Sequence, residues 1–356
     1  MNGWFRFLYV IMVEVTVDAA NSRQRADKFI IRSLPGASKS LIYKQIRKKN
    51  ITLNGTKMNG SEILETGDKL QFYFSDETYQ KFKADVDLSI FDEVIELASR
   101  AFDNDIKGIE VIYEDDNIIL MNKPSGVLSQ SAAGNEISLN EWLLGYLLDT
   151  KAINRLTLTS FKPSVLNRLD RNTSGIVIGS KSLLGANVIS SMLKDRSLHK
   201  YYLTYVTGNF NEDTTLSGYH HKDQLNNMAT IKKELEPNDD PADFDRILTR
   251  FTPVRHITNN RLGDITLLEV KLITGKSHQI RAHLASIGNP ILGDHKYGDK
   301  KVNHSLFSLN IHNQMLHAYK LVMPDKMPEG MENLEGRVYT CNPPKEWSKI
   351  DGNLEE

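Results

Sequence analysis

Ser164-Val165-Leu166-Asn167-Arg168-Leu169-Asp170-Arg171-Asn172-Thr173-Ser174-Gly175-Ile176-Val177-Ile178 runs from an apolar segment through a short polar loop into a strand. The loop sets one carboxylate between two guanidiniums. Arginine keeps its charge at any useful pH, so Asp170 is expected to stand as an anion, suited to nucleophilic attack more than to proton sharing. A bare Arg-Leu-Asp-Arg is more often an Asx turn or a surface ion pair. Its meaning therefore depends on what surrounds it.

Working outward, β-rich runs dominate. Residues 176–180, 202–207, 247–256 and 265–272 read as strands, and 110–113 and 117–121 as a strand pair across the turn Glu114-Asp115-Asp116. The helical patterns of this part of the chain are 139–148, 183–193 and 278–287. Strands outnumber helices and do not alternate strictly with them, which predicts an α+β fold with a mainly antiparallel sheet. The biased stretch 234–245 reads as a mobile loop or turn.

The N-terminal part has a different character. Residues 25–33 form a helical pattern with Ala26, Phe29 and Ile30 on one face, broken by Leu34-Pro35-Gly36. Ser38 caps a second pattern over 39–49, with Leu41, Ile42 and Ile46 inward and Lys39, Lys44, Arg47, Lys48 and Lys49 outward. A strand Ile51-Thr52-Leu53, the hairpin signal Asn54-Gly55 and a strand over 69–74 complete the unit. The net charge of -1 hides an asymmetry: residues 23–57 hold ten bases and one acid, while 85–116 hold eleven acids against Arg100 and Lys107. One segment is built to meet phosphate and another is not. The resulting division is a small basic unit over 12–80, an acidic linker with a short helix over 81–108, a large domain over 109–340 and a C-terminal tail over 341–356.

The αα-β unit resembles the S4 RNA-binding domain over residues 22–75, through Arg25-Ala26-Asp27-Lys28-Phe29, Ser38-Lys39-Ser40, Ile51-Thr52-Leu53-Asn54-Gly55 and Thr66-Gly67-Asp68. That resemblance implies RNA contacts from Arg25, Lys28, Lys39, Lys44, Arg47 and Lys48. From about residue 111 to 321 the chain resembles the pseudouridine synthases of the RluA type. Four blocks in order carry this likeness: Asn122-Lys123-Pro124-Ser125-Gly126; the Asp170 loop; Lys200-Tyr201-Tyr202-Leu203-Thr204-Tyr205-Val206; and Thr274-Gly275-Lys276-Ser277-His278-Gln279-Ile280-Arg281-Ala282-His283-Leu284 followed by Pro290-Ile291-Leu292-Gly293-Asp294.

The resemblance implies an isomerase that converts uridine in RNA to its C-glycoside without cofactor or metal, on the pseudouridine synthase fold. Asp170 would be the catalytic carboxylate and Arg281 the arginine that pairs with it and orients it. Tyr202 would be the pocket tyrosine, able to stack on an extruded base and to remove the carbon-5 proton. Lys123, Arg168, Arg171, Lys200 and Lys276 are candidates for phosphate contact or backbone positioning. Together with the S4-like unit, the likeness points to the branch acting on large-subunit (23S) ribosomal RNA. A tRNA substrate, a non-catalytic ribosome-assembly protein and a hydrolase of free nucleosides are the rival readings. Many members of this type carry His where this chain has Asn167.

Other chemistries are poorly supported. The single cysteine, Cys341, rules out an intrachain disulfide framework and a multi-cysteine zinc site and suits a reducing, cytoplasmic setting. His278 and His283 are five apart and do not share a helical face, and no P-loop or dinucleotide fingerprint is present. The apolar stretch over 4–13 is too short to span a bilayer. Met12 opens an alternating strand with Val13, Val15 and Val17, so translation starting at either Met1 or Met12 is consistent with the sequence. A monomer is expected.

Overall fold

The computed structural model describes residues 11–18, 21–84, 88–131, 136–223, 226 and 228–350; the stretch from Trp4 to Val10 lies outside them. The N-terminal unit comprises β1 (Ile11–Thr16), α1 (Ala26–Ser33), α2 (Lys39–Arg47), β2 (Ile51–Leu53), β3 (Thr56–Lys57), β4 (Lys69–Phe74) and α3 (Asp76–Ala84). Its antiparallel sheet runs β1-β4-β2-β3. Strict alternation makes β4 the wall of a small core: Leu70, Phe72 and Phe74 point inward onto Ile30, Leu34, Ile42 and Ile46. Asn54 and Gly55 both take positive φ, as a tight hairpin requires. Tyr79 of α3 joins the same core and Phe82 packs against it, so the unit runs past residue 80.

The larger unit begins with α4 (Asp92–Arg100), β5 (Glu110–Glu114), β6 (Ile118–Lys123), α5 (Leu139–Asp149), α6 (Arg155–Ser160), β7 (Ser174–Ser180) and α7 (Leu183–Asp195). It continues through β8 (His199–Thr207), β9 (Thr214–Asp223), β10 (Met228–Lys232), β11 (Asp245–Asn259) and β12 (Gly263–Leu272). Last come α8 (Gln279–Ser286), α9 (Lys300–Leu306), β13 (Leu316–Val322) and β14 (Val338–Thr340). The sheet order is β10-β9-β11-β12-β8-β13-β7-β6-β5, with β14 on β13. Among the described residues only β13 and β7 pair in parallel; the fold is α+β with a mainly antiparallel sheet. That junction is tight because Gly175, at φ +115°, lies so close that a Cβ would stand 2.3 Å from the Ala318 carbonyl oxygen.

Two further boundaries differ from the sequence reading. Residues 92–106 are not a linker: Ala98, Ala101 and Ile106 are buried with Trp142, Leu143 and Leu147 of α5 in the principal core. The acids of α4 occupy its solvent face, and net charge obscured the apolar stripe behind them. Nor are residues 341–350 a loose tail, since Trp347 and Ile350 are buried against Tyr205, Leu292 and Met315. The stretch 234–245 links β10 to β11 through a short turn at Pro241–Asp243, with Asp239 accepting from Lys232 at 2.8 Å and Phe244 against the His221 ring.

Candidate active site

The Asp170 loop lies beside the junction of β7 and β13, and its backbone is held from several sides. Segment 164–167 runs along β7, with Leu166 N–H donating to Ile178 O at 2.7 Å. The Asn167 side chain extends that ladder by accepting from Ile178 N–H at 2.7 Å, so its amide serves the backbone. Ser129 Oγ both donates to Leu169 O and accepts from Leu169 N–H, each at 2.9 Å. Ser125 Oγ donates to Asn172 O at 2.7 Å, and Gln314 Nε2 donates to Thr173 Oγ1 at 2.7 Å.

Lys123 is the deepest part of this clamp. It is fully buried, and its Nζ donates to the carbonyls of Pro124 (3.0 Å), Val127 (2.7 Å) and Arg171 (3.0 Å). It is therefore not a phosphate contact, which corrects the sequence expectation. Burial pushes its ammonium down to about 7, opposed by the nearby Asp170 charge. Three carbonyls facing three ammonium protons favour the charged form.

Asp170 does not pair with its sequence neighbours. Arg171 reaches Glu136 at 2.5 Å, and Arg168 is exposed. The partner of Asp170 is Arg281, whose Nη1 donates to Asp170 Oδ2 at 2.8 Å. The rest of that guanidinium is fixed by Asp294: Nε donates to Oδ2 at 2.7 Å and Nη2 to Oδ1 at 2.9 Å. Asp294 is fully buried and also accepts from the backbone N–H groups of Lys296 and Tyr297. Burial works against the Arg281 charge, but the bonds and charges of Asp294 and Asp170 outweigh it and hold the group above its ordinary range. One arginine edge is thus locked while the other faces the cleft, the fork geometry that a lysine lacks.

His278, at the start of α8 and in left-handed conformation (φ +57°), places Nε2 3.9 Å from Asp170 Oδ2 and Nδ1 3.0 Å from Tyr297 Oη. Burial lowers its imidazole below the usual range, against the pull of Asp170. Neutral imidazole beside the carboxylate was missed in the sequence, where His278 drew attention only as a metal ligand. Tyr202, 5% exposed on β8, lines the same cleft. Burial first and the Asp170 charge second raise its phenol above the ordinary range, so it keeps its proton near neutrality. A phenolate base for carbon 5 is therefore disfavoured at this position.

These groups line a cleft of about 800 Å³. Among the described residues, eight of those lining it are Lys or Arg (Arg168, Arg171, Arg196, Lys200, Lys222, Lys276, Arg281 and Lys296), and the one acid is Asp170. The near-neutral chain thus concentrates positive charge around one carboxylate. Lys200 is lowered by burial, and Lys276 pairs with Asp245 at 2.6 Å on the rim. Arg196, Lys222 and Lys296 had no motif around them to single them out in the sequence. On the N-terminal unit, Arg25 pairs with buried Asp27 at 2.7 Å, while Lys28, Lys39, Lys44, Arg47 and Lys48 are exposed. Among the described residues no group of three or more His, Cys, Asp and Glu is arranged to hold a metal ion, and no helix is long and apolar enough to cross a membrane.

A family model described as RNA pseudouridylate synthase matches residues 117–286. Over 319 residues the chain is 31% identical to an uncharacterised RNA pseudouridine synthase of Mycoplasma genitalium, covering 86% of this chain and 88% of that one. It is 27% identical over 308 residues to the ribosomal large subunit pseudouridine synthase C of Haemophilus influenzae, covering 86% and 85% of the two chains. Among solved structures, human RNA pseudouridylate synthase domain containing 4 superposes with a TM-score of 0.52 at 18% identity, over 73% of this chain and 98% of that one. The last likeness is one of fold.

Proposed function

The chain belongs to the RNA pseudouridine synthase family, and from that premise we propose that it isomerises uridines of large-subunit ribosomal RNA with Asp170 as the reacting carboxylate. The observation that carries this reading is the Asp170–Arg281 pair at 2.8 Å on the wall of a cleft whose lining holds eight lysines and arginines. The reaction breaks the bond from ribose C1′ to uracil N1, turns the base and joins C1′ to carbon 5. The proton on carbon 5 leaves and N1 gains one, so composition is unchanged. An anion fixed beside the ribose can attack C1′ or stabilise the positive charge that develops there. Tyr202, protonated and buried, supplies a wall against which the extruded base stacks. In this reading the carbon-5 proton passes to the Asp170 carboxylate after the sugar has left it.

Phosphates on either side of the flipped nucleotide meet Arg168, Lys200 and Lys276 at the cleft. The exposed cations of α1 and α2 hold RNA farther from the chemistry, the role implied by the S4-like pattern. We place the enzyme in the cytoplasm, working as a monomer without cofactor or metal. The test is Asp170→Asn. Pseudouridine should no longer form, while RNA affinity stays within about twofold because the phosphate-binding cations are untouched. Full turnover by that variant would refute the assignment. Mapping pseudouridine in ribosomal and transfer RNA from cells with and without the gene separates the two substrate classes.

A further inference from the structure

Beyond the cleft mouth, an exposed aromatic side chain stands among three histidines. Phe307, 47% exposed, follows α9, and its ring lies 6.5 Å from His295 at 25° between planes, 5.5 Å from His312 at 38° and 6.1 Å from His304 at 76°. All three histidines are themselves exposed. The other apolar side chains of this segment, Leu306, Leu309 and Ile311, pack into a core with Met315 and Trp347, whereas Phe307 turns outward. Two rings are fixed in place: His295 Nε2 bonds His312 O at 2.8 Å, and His312 Nε2 bonds Asn310 Oδ1 at 2.8 Å. The cluster is continuous with the active-site cleft, because His295 and its neighbour Lys296 line that cleft.

Four exposed rings at this spacing do not stabilise the fold by burial, and a surface phenylalanine beside a cation-lined cleft is suited to another purpose. We propose that Phe307, with His295 and His312, is a stacking platform for unpaired RNA bases next to the target uridine. Every base has a π-face, so such a platform grips strand without reading sequence, while nearby cations track the phosphates. When the uridine is drawn toward Asp170, its neighbours lose their own stacking partners. The platform replaces those partners and keeps the strand open at the cleft. The proposal rests on the reading of the chain as an enzyme acting on RNA.

The test titrates the full chain with a fluorescent oligouridylate and with the same ribose-phosphate chain lacking bases. Phe307→Ala and Phe307→Leu should each weaken oligouridylate binding about tenfold, within the range of one base–aromatic stack. Phe307→Trp should retain it, and binding of the abasic chain should be the same for all. The thermal midpoint of Phe307→Leu should match the wild type, since the residue is outside the core. Wild-type oligouridylate affinity in Phe307→Leu would overturn the proposal, because apolar bulk rather than a ring would then suffice. Pseudouridine formation is scored separately: a wild-type protein that forms none sinks the Asp170 assignment and leaves the binding comparison intact.

Discussion

The N-terminal unit and the cleft of the larger unit both present cations, but in different states. On α2, Lys39, Lys44, Arg47 and Lys48 are exposed, and among the described residues none forms an ion pair. In the cleft, Arg281 is 7% exposed and bonded to two carboxylates, and under the Asp170 loop Lys123 is buried against three carbonyls. The first arrangement costs little to build and acts at a distance through solvent. The second is costly unless every charge is matched, since removing one partner of a buried pair leaves the other stranded. Attraction of a polyanion can be left to mobile surface charge, whereas holding one oxygen beside a ribose requires groups that cannot move.

The most damaging way to probe that contrast, short of touching Asp170, is Lys123→Met. If Lys123 only filled space, replacing a buried charge by an apolar side chain would be neutral or stabilising. If it is the clamp described above, carbonyls of Pro124 and Val127 lose a donor at about 1–3 kcal/mol each, and the Arg171 carbonyl next to Asp170 is loosened. The expected outcome is a loss of a few kcal/mol in denaturant unfolding and at least about a tenfold fall in kcat, with RNA affinity little changed. A variant that unfolds later than the wild type and turns over normally would remove Lys123 from the machinery.

How much of this was legible in the sequence follows the same division. Regular, locally determined features read well: the apolar stripe of α1 and α2, the alternation of β4 and the hairpin at Asn54-Gly55 depend only on local period and turn chemistry. The proximity of Asp170 and Arg281, 111 residues apart, was reached through family resemblance and not through any local signal. Local charge misled in two places. Arg168 and Arg171 looked like partners of Asp170, yet Arg171 turns to Glu136. The acids of 92–105 suggested a linker, yet α4 sits on the core. Strands such as β9 (Thr214–Asp223) carry too little apolar alternation to show, and β13 (Leu316–Val322) buries His317 where a strand pattern would have an aliphatic residue.

Buried polar residues of that kind give a second, smaller probe. His317 is 1% exposed, with Nδ1 2.8 Å from Ser174 Oγ and Nε2 3.2 Å from Cys341 O; His283 is 2% exposed, with Nδ1 3.1 Å from Thr249 Oγ1. Burial pushes both imidazoles down to about 4. Between about pH 6.5 and 4 the unfolded chain therefore binds protons that the folded chain does not, and stability falls as pH drops through this window. Above that window the stabilisation is complete, and below it the loss levels off. Each group contributes at most about 3 kcal/mol across the window. Urea unfolding at several pH values should show this slope, and His317→Gln should flatten it. An unaltered slope in that variant would mean that other groups titrate there. The N-terminal unit has no comparably depressed histidine among its described residues, so its unfolding should respond less over the same range.

The mildest expected change belongs to the solvated cations themselves. Neutralising Lys39, Lys44, Arg47 and Lys48 together to Gln removes no packing, because each is exposed. Thermal stability should stay within about 1 kcal/mol, as is usual for surface substitutions. Their effect is on the counterion atmosphere: each phosphate that is no longer neutralised lowers the slope of log affinity against log salt by about 0.7 for single-stranded RNA. Four such phosphates would flatten the slope by up to about 3, with the largest drop in affinity at low salt and almost none at high salt. The kcat at saturating RNA should be unchanged, since none of these side chains lines the cleft. A salt slope equal to the wild type would mean that the exposed face of α2 does not meet RNA. A fall in kcat with the slope intact would mean that the two kinds of charge are coupled and that the division between attraction and chemistry is wrong.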